Sequence, residues 1–489
     1  MSETLSVLPS SFWVALALLL GGVVWALSCI RQGLGLPALA VLATVGAWYI
    51  GDAFYNDYAH NHATKFRADV LVTAWWQVAC FLIVYLLFTP VMHGLMNGDM
   101  RRRSSQVYRL VLNGPMEPRF QLHLRQLFRG TAIAWAVLVA IACLRLGDQI
   151  PYYFFPFLGY RADPWGRGQI GSGFSALLSL ASYFQMFLAA MFGLVAALAR
   201  DPRVRFLALI GCCLSWPNYI FDRTRNTLLA VVVPGILAWA AIRLRVNWLL
   251  KLAVLAGCFY LVNVWLAFII ANRSETTIVS AAQGEGVSLK EASQEARHEG
   301  LNMFEELCWI NAFIANGAYK PNWGSRYFAE LVNPIPRSLW PGKPLIGLDY
   351  AVARGQGTYD DGSATATIST GMIGQGVVNF GPWLGSAFAA WLMACWTALL
   401  ARLDLRGEEM GNIGLYALGM IITFNLGRDI TLITLYTFFF GWALVWWIKR
   451  KNAGQNSDAR SRRQRSRSTN HDLSAAGTTP APASQPLEP

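Results

Sequence analysis

Several cations of this chain lie next to apolar stretches, where a charged side chain is costly and usually has a function. Arg223 and Arg225 belong to the sequence FDRTRNT, and Arg428 belongs to GRD. Arg337 and Lys343 stand in the proline-rich sequence NPIPRSLWPGKP. A guanidinium group holds a planar set of donors that matches phosphate oxygens, and it stays charged at every relevant pH. These five cations are therefore predicted to bind the diphosphate of a lipid-linked substrate.

A simpler interpretation of each arginine is a side chain that reaches toward the lipid headgroups and pairs with a neighbouring acid. Asp222 is next to Arg223, and Asp429 is next to Arg428. The diphosphate interpretation is favoured when the cations are taken together, because separate segments place them on the same predicted side of the membrane. Asp222 and Asp429 are then predicted to orient their arginines.

Aromatic side chains near these cations are predicted to stack on sugar rings. Trp340 lies inside the proline-rich stretch, and Trp309 lies before it. The alternative is a belt of aromatic residues at the membrane interface, which accounts for at least part of the set. The other members are Trp323, Tyr327, Tyr350 and Tyr359.

The composition indicates a membrane protein. Hydrophobic residues make up 55% of the chain and charged residues only 14%, and the mean hydropathy is +0.37. We therefore predict an all-α integral membrane protein with about eleven transmembrane helices. The apolar runs begin at Ser11, Leu34, Val70, Thr131, Gly171, Phe206, Thr227, Trp248, Leu384, Ile413 and Ile430.

Basic residues set the expected orientation, because they collect on the cytoplasmic side. The segment 89–130 carries seven arginines and is predicted to be cytoplasmic, which places the N-terminus in the periplasm and the C-terminus in the cytoplasm. The first run lacks the features of a cleaved signal peptide. The predicted parts are helices 1–8 in residues 1–271, a large periplasmic loop with short amphipathic helices in 272–370, a re-entrant or broken segment with helices 9–11 in 371–448, and a disordered basic cytoplasmic tail in 449–489.

The net charge of +12 is concentrated partly in that tail, which favours a solvated or lipid-facing role over nucleic acid binding. His60 and His62 form an H-x-H pair, but no cysteine or glutamate nearby completes a metal site. The chain also lacks a glycine-rich nucleotide loop between a strand and a helix. Neither a metal nor a cofactor is predicted.

Two segments of the loop region have a recognisable helical pattern. The sequence GMIGQGVVNFGPWLG is apolar but is interrupted by glycines and by Gly381-Pro382, which indicates a broken or re-entrant helix. The preceding segment spaces Leu301, Phe304, Leu307 and Cys308 as the apolar face of an amphipathic helix.

The loop sequence IPRSLWPGKP, followed by STGMIGQGVVNFG before a transmembrane helix, resembles the Wzy-type oligosaccharide repeat-unit polymerases of bacterial surface polysaccharide synthesis. FDRTRNT and GRD are similar to arginine-bearing segments of that group. The specific part covers Asn333 to Gly381. The resemblance implies an inner-membrane glycosyltransferase that works on the periplasmic side without a nucleotide sugar or metal, and that moves a glycan from one undecaprenyl diphosphate onto the next lipid-linked repeat unit.

The implied partners are an undecaprenyl diphosphate-linked oligosaccharide and membrane lipid, with a chain-length regulator and a flippase as further candidates. Such a reaction needs cations where negative charge develops on the diphosphate and a base for the attacking hydroxyl. His298 and Glu306 are favoured as the base, and Asp429 is a third candidate. The same predicted side also holds Glu299, Glu305 and Asp349.

Two other enzyme or transport functions fit parts of the same pattern. An O-antigen ligase would use a similar loop with a different acceptor. A transporter or flippase of lipid-linked sugars would need polar groups through the middle of the helix bundle, whereas the ionisable residues of this chain cluster at membrane edges and loops. A non-catalytic scaffold leaves the external arginines unexplained.

Overall fold

The computed structural model describes residues 6–100, 103–113, 118–158, 161–165, 174–221, 225–244, 246–271, 302–333, 335, 339–356, 358, 368–407, 410–431 and 435–450. Every regular element in these residues is helical, as the all-α prediction required. The chain divides into two units, Met1–Gly441 and Trp442–Pro489. In the second unit, residues 442–450 are helical, and the Arg450 guanidinium lies 5.4 Å from the centre of the Trp446 ring.

The longer helices are numbered α1 to α15 in chain order. They are α1 Ser10–Ser28, α2 Gly35–Val45, α3 Ala68–Asn97, α4 Gln106–Asn113, α5 Pro118–Leu146, α6 Phe174–Leu198, α7 Pro202–Ile220, α8 Arg225–Ala238, α9 Trp248–Ala271, α10 Met303–Ala315, α11 Ser325–Val332, α12 Leu348–Ala353, α13 Gly371–Phe380, α14 Pro382–Leu405 and α15 Met410–Leu426. Residues 435–450 form a further helical stretch.

Shorter helical turns connect these helices. They are Ile30–Gln32, Gly46–Ile50, Gly51–Tyr55, His62–Lys65, Gly98–Met100, Gly147–Gln149, Ile150–Phe154, Pro156–Leu158 and Trp239–Arg243. Gly46–Ile50 is a widened turn that continues α2 into Gly51–Tyr55.

Six helical segments of the described chain are long and apolar enough to cross a membrane. They are Ser10–Ser28, Gly35–Tyr55, Ala68–Asn97, Gln121–Phe154, Ala181–Leu198 and Pro382–Leu405. Three of the other predicted runs form shorter apolar helices, at Thr227–Ala238, Leu249–Val262 and Gly411–Leu426. The chain is therefore a helical membrane protein, while the full set of eleven spans stays a prediction.

The contacts of α3 and α14 show that these two helices run in the same direction. In the first half of α3, the Cys80 thiol lies 4.0 Å from the carbonyl oxygen of Trp383, at the start of α14. Further along both helices, the Asn97 side-chain amide donates to the carbonyl of Ala398 at 3.0 Å. The starts of α3 and α14 therefore lie at one end of the bundle, where α10 and α13 also pack. This end is called the loop end below.

The predicted basic loop 89–130 is helical over much of its length. Helix α3 continues to Asn97, and α5 begins at Pro118, before its apolar stretch starts. Proline is well suited to the first position of a helix, because the N–H that it lacks has no partner there. A helix can thus extend beyond the apolar run that identifies a membrane span.

Helix α13 is short and buried, and its junction with α14 lies at the predicted break. Every residue from Gly371 to Asn379 is buried. The chain turns at Gly381, with φ 82° and ψ 177°, and α14 begins at Pro382. A Cβ atom on Gly376 would overlap the carbonyl oxygen of Gly385, so the two helices approach each other more closely than a larger residue permits.

Candidate functional site

Helix α10 is attached to two membrane helices by buried polar contacts. The Asp52 carboxylate accepts hydrogen bonds from the N–H groups of Phe304 at 2.8 Å and Glu305 at 3.0 Å, which caps the start of α10. The amides of Gln77 and Asn311 bond to each other reciprocally, at 2.6 and 2.9 Å. These contacts fix the position of α10 at the loop end, and with it the position of Glu306 and Trp309.

The N-terminus of α13 has its first backbone donors satisfied by the protein itself. The N–H groups of residues 371–373 bond to oxygen atoms of two other segments, and the pairs are Gly371 to the Arg428 carbonyl at 2.8 Å, Met372 to the Gly427 carbonyl at 3.0 Å and Ile373 to the Tyr49 hydroxyl at 3.0 Å. Free N–H groups at a helix start commonly bind anions. Because these N–H groups are already bonded to protein oxygens, an anion at this position must be bound by side chains.

The centre of the candidate site is an ion pair between Arg326 of α11 and Asp429, which follows α15. Arg326 Nη2 and Asp429 Oδ1 are 3.7 Å apart, and the two side chains are only 3% and 13% exposed. Asp429 Oδ1 also accepts from the Thr370 N–H at 3.2 Å and the Thr370 hydroxyl at 3.1 Å. This arrangement joins three segments that are distant in sequence.

Arg326 retains unused donors in this buried position. Its Nη2 donates to the carbonyl of Ile368 at 3.4 Å. Its Nε and Nη1 have no hydrogen-bond partner within the described part of the chain. Buried polar groups are normally paired, so unpaired donors of a buried cation are a candidate ligand site.

A second guanidinium, that of Arg428, lies next to Asp429 in the segment that follows α15. Arg428 is partly buried, and its Nε donates to the Ser369 hydroxyl at 2.8 Å. Ser369 also hydrogen-bonds to the Asp429 carboxylate, so it links the Arg428 side chain to the ion pair of Arg326 and Asp429. Burial raises the pKa of Asp429 above its usual value, and the nearby Arg326 charge together with hydrogen bonds from Ser369 and Thr370 opposes that rise. The arrangement can bind an anion and can accept a proton.

Glu306 lies in a separate, closed cluster at the loop end. Arg354 binds its carboxylate with two hydrogen bonds of 3.2 Å each, from Nε and Nη2. The Tyr350 hydroxyl donates to the same carboxylate. The guanidinium of Arg354 lies 4.7 Å from the centre of the Trp309 ring. Glu306 and Trp309, predicted as a base and a sugar platform, are both engaged with Arg354.

Burial changes the pKa values of the two acidic groups in this cluster. It raises the pKa of Glu306 above its usual value, while the hydrogen bond from Tyr350 and the Arg354 charge oppose the rise. The pKa of the Tyr350 phenol is also raised, by burial and by the neighbouring carboxylate.

Lys343 and Trp340 hold the proline-rich stretch together. Lys343 Nζ is buried and donates to the carbonyls of Asn333 at 2.8 Å and Ile335 at 2.9 Å. These carbonyls follow the end of α11, where a cation is favourable. Trp340 packs edge-on against Phe328, with ring centres 6.3 Å apart. Both residues, predicted to contact substrate, make these contacts within the loop.

The remaining predicted residues are placed as follows. Arg223, Arg337 and His298 lie outside the described residues, as does nearly all of the predicted tail. Arg225 is the first residue of α8, and its side chain is likewise outside what is described. Of the ten predicted site residues, Asp429 belongs to the ion pair, and Arg428 adjoins that pair through Ser369.

The histidines of the H-x-H pair have different surroundings. His60 is exposed, and its Nδ1 lies 3.0 Å from Asp57. His62 is fully buried, and its Nε2 lies 3.6 Å from Asp52. The two rings therefore do not share one site.

Arg326 was not identified from the sequence, although a signal for it exists. In α11, the buried residues Arg326, Ala329 and Glu330 form one face of the helix. The apolar residues Phe328 and Leu331 are exposed on the other face. In α11 the charged residues occupy the positions that apolar residues usually take on a buried helix face, and this pattern is the signal for Arg326. Arg326 does not lie beside a long apolar run, unlike most of the cations that the sequence predicted.

Comparison of the chain with family models, with curated proteins and with solved structures finds no match.

Proposed function

We propose that this protein is a membrane glycosyltransferase that joins undecaprenyl diphosphate-linked oligosaccharide repeat units into a surface polysaccharide, on the periplasmic face of the bacterial inner membrane. The proposal needs a diphosphate-binding group near the membrane boundary and a base for the acceptor hydroxyl. No metal or nucleotide sugar takes part in it.

The observation that carries the proposal is the pair of unused donors on buried Arg326. Arginine binds phosphate oxygens with parallel hydrogen bonds, and these bonds are strong where water is excluded. Arg428, which precedes Asp429 in the segment after α15, brings a second, partly exposed guanidinium. A diphosphate has enough acceptor oxygens to engage both.

The proposed reaction is a displacement at the anomeric carbon of the sugar attached to the diphosphate. A hydroxyl oxygen of the acceptor repeat unit forms the new bond to that carbon. The bond between that carbon and the phosphate oxygen breaks, and its electron pair leaves with undecaprenyl diphosphate. Arg326 and Arg428 stabilise the charge that develops on this leaving group.

Asp429 is the proposed acceptor of the hydroxyl proton. Its raised pKa makes it a stronger base than an ordinary aspartate, and it lies in the arginine cluster. Glu306 is less suitable, because Arg354 and Tyr350 already occupy its carboxylate. The proton then passes to solvent or to the departing diphosphate.

The test is complementation of a strain in which this gene is deleted. Surface polysaccharide is separated on a gel, and protein level is measured in the membrane fraction. We expect Arg326→Ala and Arg428→Ala to leave a single repeat unit on the acceptor, with no ladder of longer chains. Arg67→Ala is the matched control, because Arg67 is exposed at the same end of the bundle and pairs with Asp69.

Other phenotypes either contradict the proposed mechanism or indicate a different function. A full ladder from the double variant Arg326→Ala/Arg428→Ala contradicts the proposed mechanism. Free lipid-linked polymer in the deletion strain indicates a ligase, and cytoplasmic accumulation of the lipid-linked unit indicates a flippase.

A further inference from the structure

The described residues between 323 and 345 expose several large apolar side chains, which is unusual for a loop between membrane helices. Its exposed large side chains are Trp323, Phe328, Leu331, Ile335, Leu339 and Leu345. Leu331, Trp323 and Leu339 are 65%, 76% and 78% exposed. Large exposed apolar side chains that gather in one segment indicate an interaction site.

The described charged side chains of this segment are buried, whereas several of its large apolar side chains are exposed. The three charged side chains that the structure describes between 323 and 345 are Arg326, Glu330 and Lys343, and all three are buried. In a segment that faces water, charged groups lie outside and apolar groups inside. The inverted pattern indicates that the outer surroundings of this segment are less polar than its protein side.

Helix α11 has the same inversion around its axis. Phe328 and Leu331 are spaced as one face and are exposed, while Arg326 and Glu330 lie on the protein side. Helices that lie flat on a bilayer immerse such an apolar face in the lipid.

The position of α11 relates this surface to a membrane span. The Tyr327 ring lies 5.5 Å from the ring of Phe388, which is six residues, or about 9 Å, into α14. In the first turn of α14, Trp383 and Leu384 are exposed. Since Pro382–Leu405 is long and apolar enough to span the membrane, these residues belong to its lipid-facing surface, and the apolar surface of α11 continues it.

We propose that the described residues between 323 and 345 lie in the leaflet at the loop end, with Phe328, Leu331 and Leu339 inserted among phospholipid chains. The occupant of this surface is bilayer lipid, rather than a second copy of the chain or another protein. If the segment lies at this depth, Arg326 is held at the level of the headgroups and faces away from the acyl chains. This proposal does not depend on the reaction proposed above.

The test is photo-crosslinking of the full chain in vesicles of phosphatidylethanolamine and phosphatidylglycerol. The photoreactive residue p-benzoylphenylalanine replaces Phe328, Leu331 or, as the matched control, Lys320. Lys320 is exposed in the same loop but is polar. After irradiation, the chain is analysed by mass spectrometry.

We expect adducts with the mass of a phospholipid at positions 328 and 331, and none at 320. A dimer of the chain, a peptide adduct, the absence of any adduct, or an equal lipid yield at 320 each contradicts the proposal. A second measurement adds Leu331→Glu to the chain labelled at 328. Because Leu331 is exposed, the fold is retained, and the lipid adduct should fall roughly tenfold as its contribution to insertion is lost. An unchanged yield also contradicts the proposal.

Discussion

Arg326 and Asp429 form a buried ion pair, with Nη2 and Oδ1 3.7 Å apart, although α11 and the segment after α15 supply them from distant parts of the chain. Asp429 is the counter-ion of Arg326, and the Thr370 backbone and hydroxyl also bind it. The pair connects the loop to the last helices of the first unit, so it is important for folding as well as for the proposed chemistry.

Asp429→Asn should destabilise the protein, because it leaves the Arg326 charge buried without a counter-ion. We expect the free energy of unfolding to fall by about 3 kcal/mol. Unfolding of the purified chain in detergent measures the change. The control is Asp69→Asn, which removes the exposed partner of Arg67 and should change the value by less than about 1 kcal/mol. Equal losses for the two variants would show that the buried Arg326–Asp429 pair contributes no more to stability than the exposed Arg67–Asp69 pair.

Arg326→Lys and Arg428→Lys test whether the geometry of the guanidinium matters in addition to its charge. Lysine keeps the positive charge but cannot give the parallel hydrogen bonds of arginine. We expect each variant to lose roughly tenfold or more of polymerising activity, equivalent to one charge-assisted hydrogen bond. Incorporation of repeat units by membrane fractions measures it, with Arg67→Lys as the control. Normal activity in both variants would mean that a point charge is sufficient.

Glu306→Gln should reduce the pH dependence of stability. The pKa of Glu306 is raised above its usual 4.5, so the folded chain binds this proton more tightly than the unfolded chain does. The free energy of unfolding therefore decreases as pH rises from about 4.5 through the folded pKa. The melting temperature of the variant should fall less steeply between pH 4.5 and neutrality than that of the unchanged chain. Identical slopes would exclude Glu306 as a source of this dependence.

Gly376→Ala and Gly385→Ala should each destabilise the α13–α14 contact, since either Cβ would overlap backbone atoms of the facing helix. Overpacking of this kind costs about 1–3 kcal/mol. Gly94→Ala in α3 is the control, because no atom from another helix of the described chain lies within 4 Å of its added Cβ. Thermal unfolding in detergent should show a loss for the first two variants and no loss for the control. Three equal results would contradict the close approach of the two helices.

The reciprocal amide contact of Gln77 and Asn311 should appear as a coupling energy. Replacing either residue by Leu leaves the other amide without its partner in a buried position, whereas the double variant removes both. We expect a coupling of about 1 kcal/mol in a double-mutant cycle of unfolding free energies. Strict additivity of the two substitutions would show that the contact does not stabilise the attachment of α10.

Local sequence features predicted much of the architecture. Long apolar runs identify helices that can lie in a membrane, because the cost of exposing them to water depends on composition alone. The break at Gly381-Pro382 follows from the backbone freedom of glycine and from the donor that proline lacks. Apolar spacing likewise predicted the face of α10 that buries Phe304, Leu307 and Cys308.

Helix length was less predictable from the same features. The basic segment before α5 was expected to be a loop, but α5 already begins at Pro118. Hydropathy reports where a segment can be buried in lipid, and backbone hydrogen bonding can extend a helix well beyond that boundary.

What the sequence by itself determined is therefore the helical membrane character of the chain and the position of its main interruption. Only the tertiary structure decided which charges meet: Asp429 pairs with Arg326, Glu306 with Arg354, and Lys343 with two carbonyls of its own loop. An ion pair depends on an approach of a few ångströms between side chains from distant segments. That approach is set by how α10, α11 and α13 pack together, which no local pattern of residues specifies.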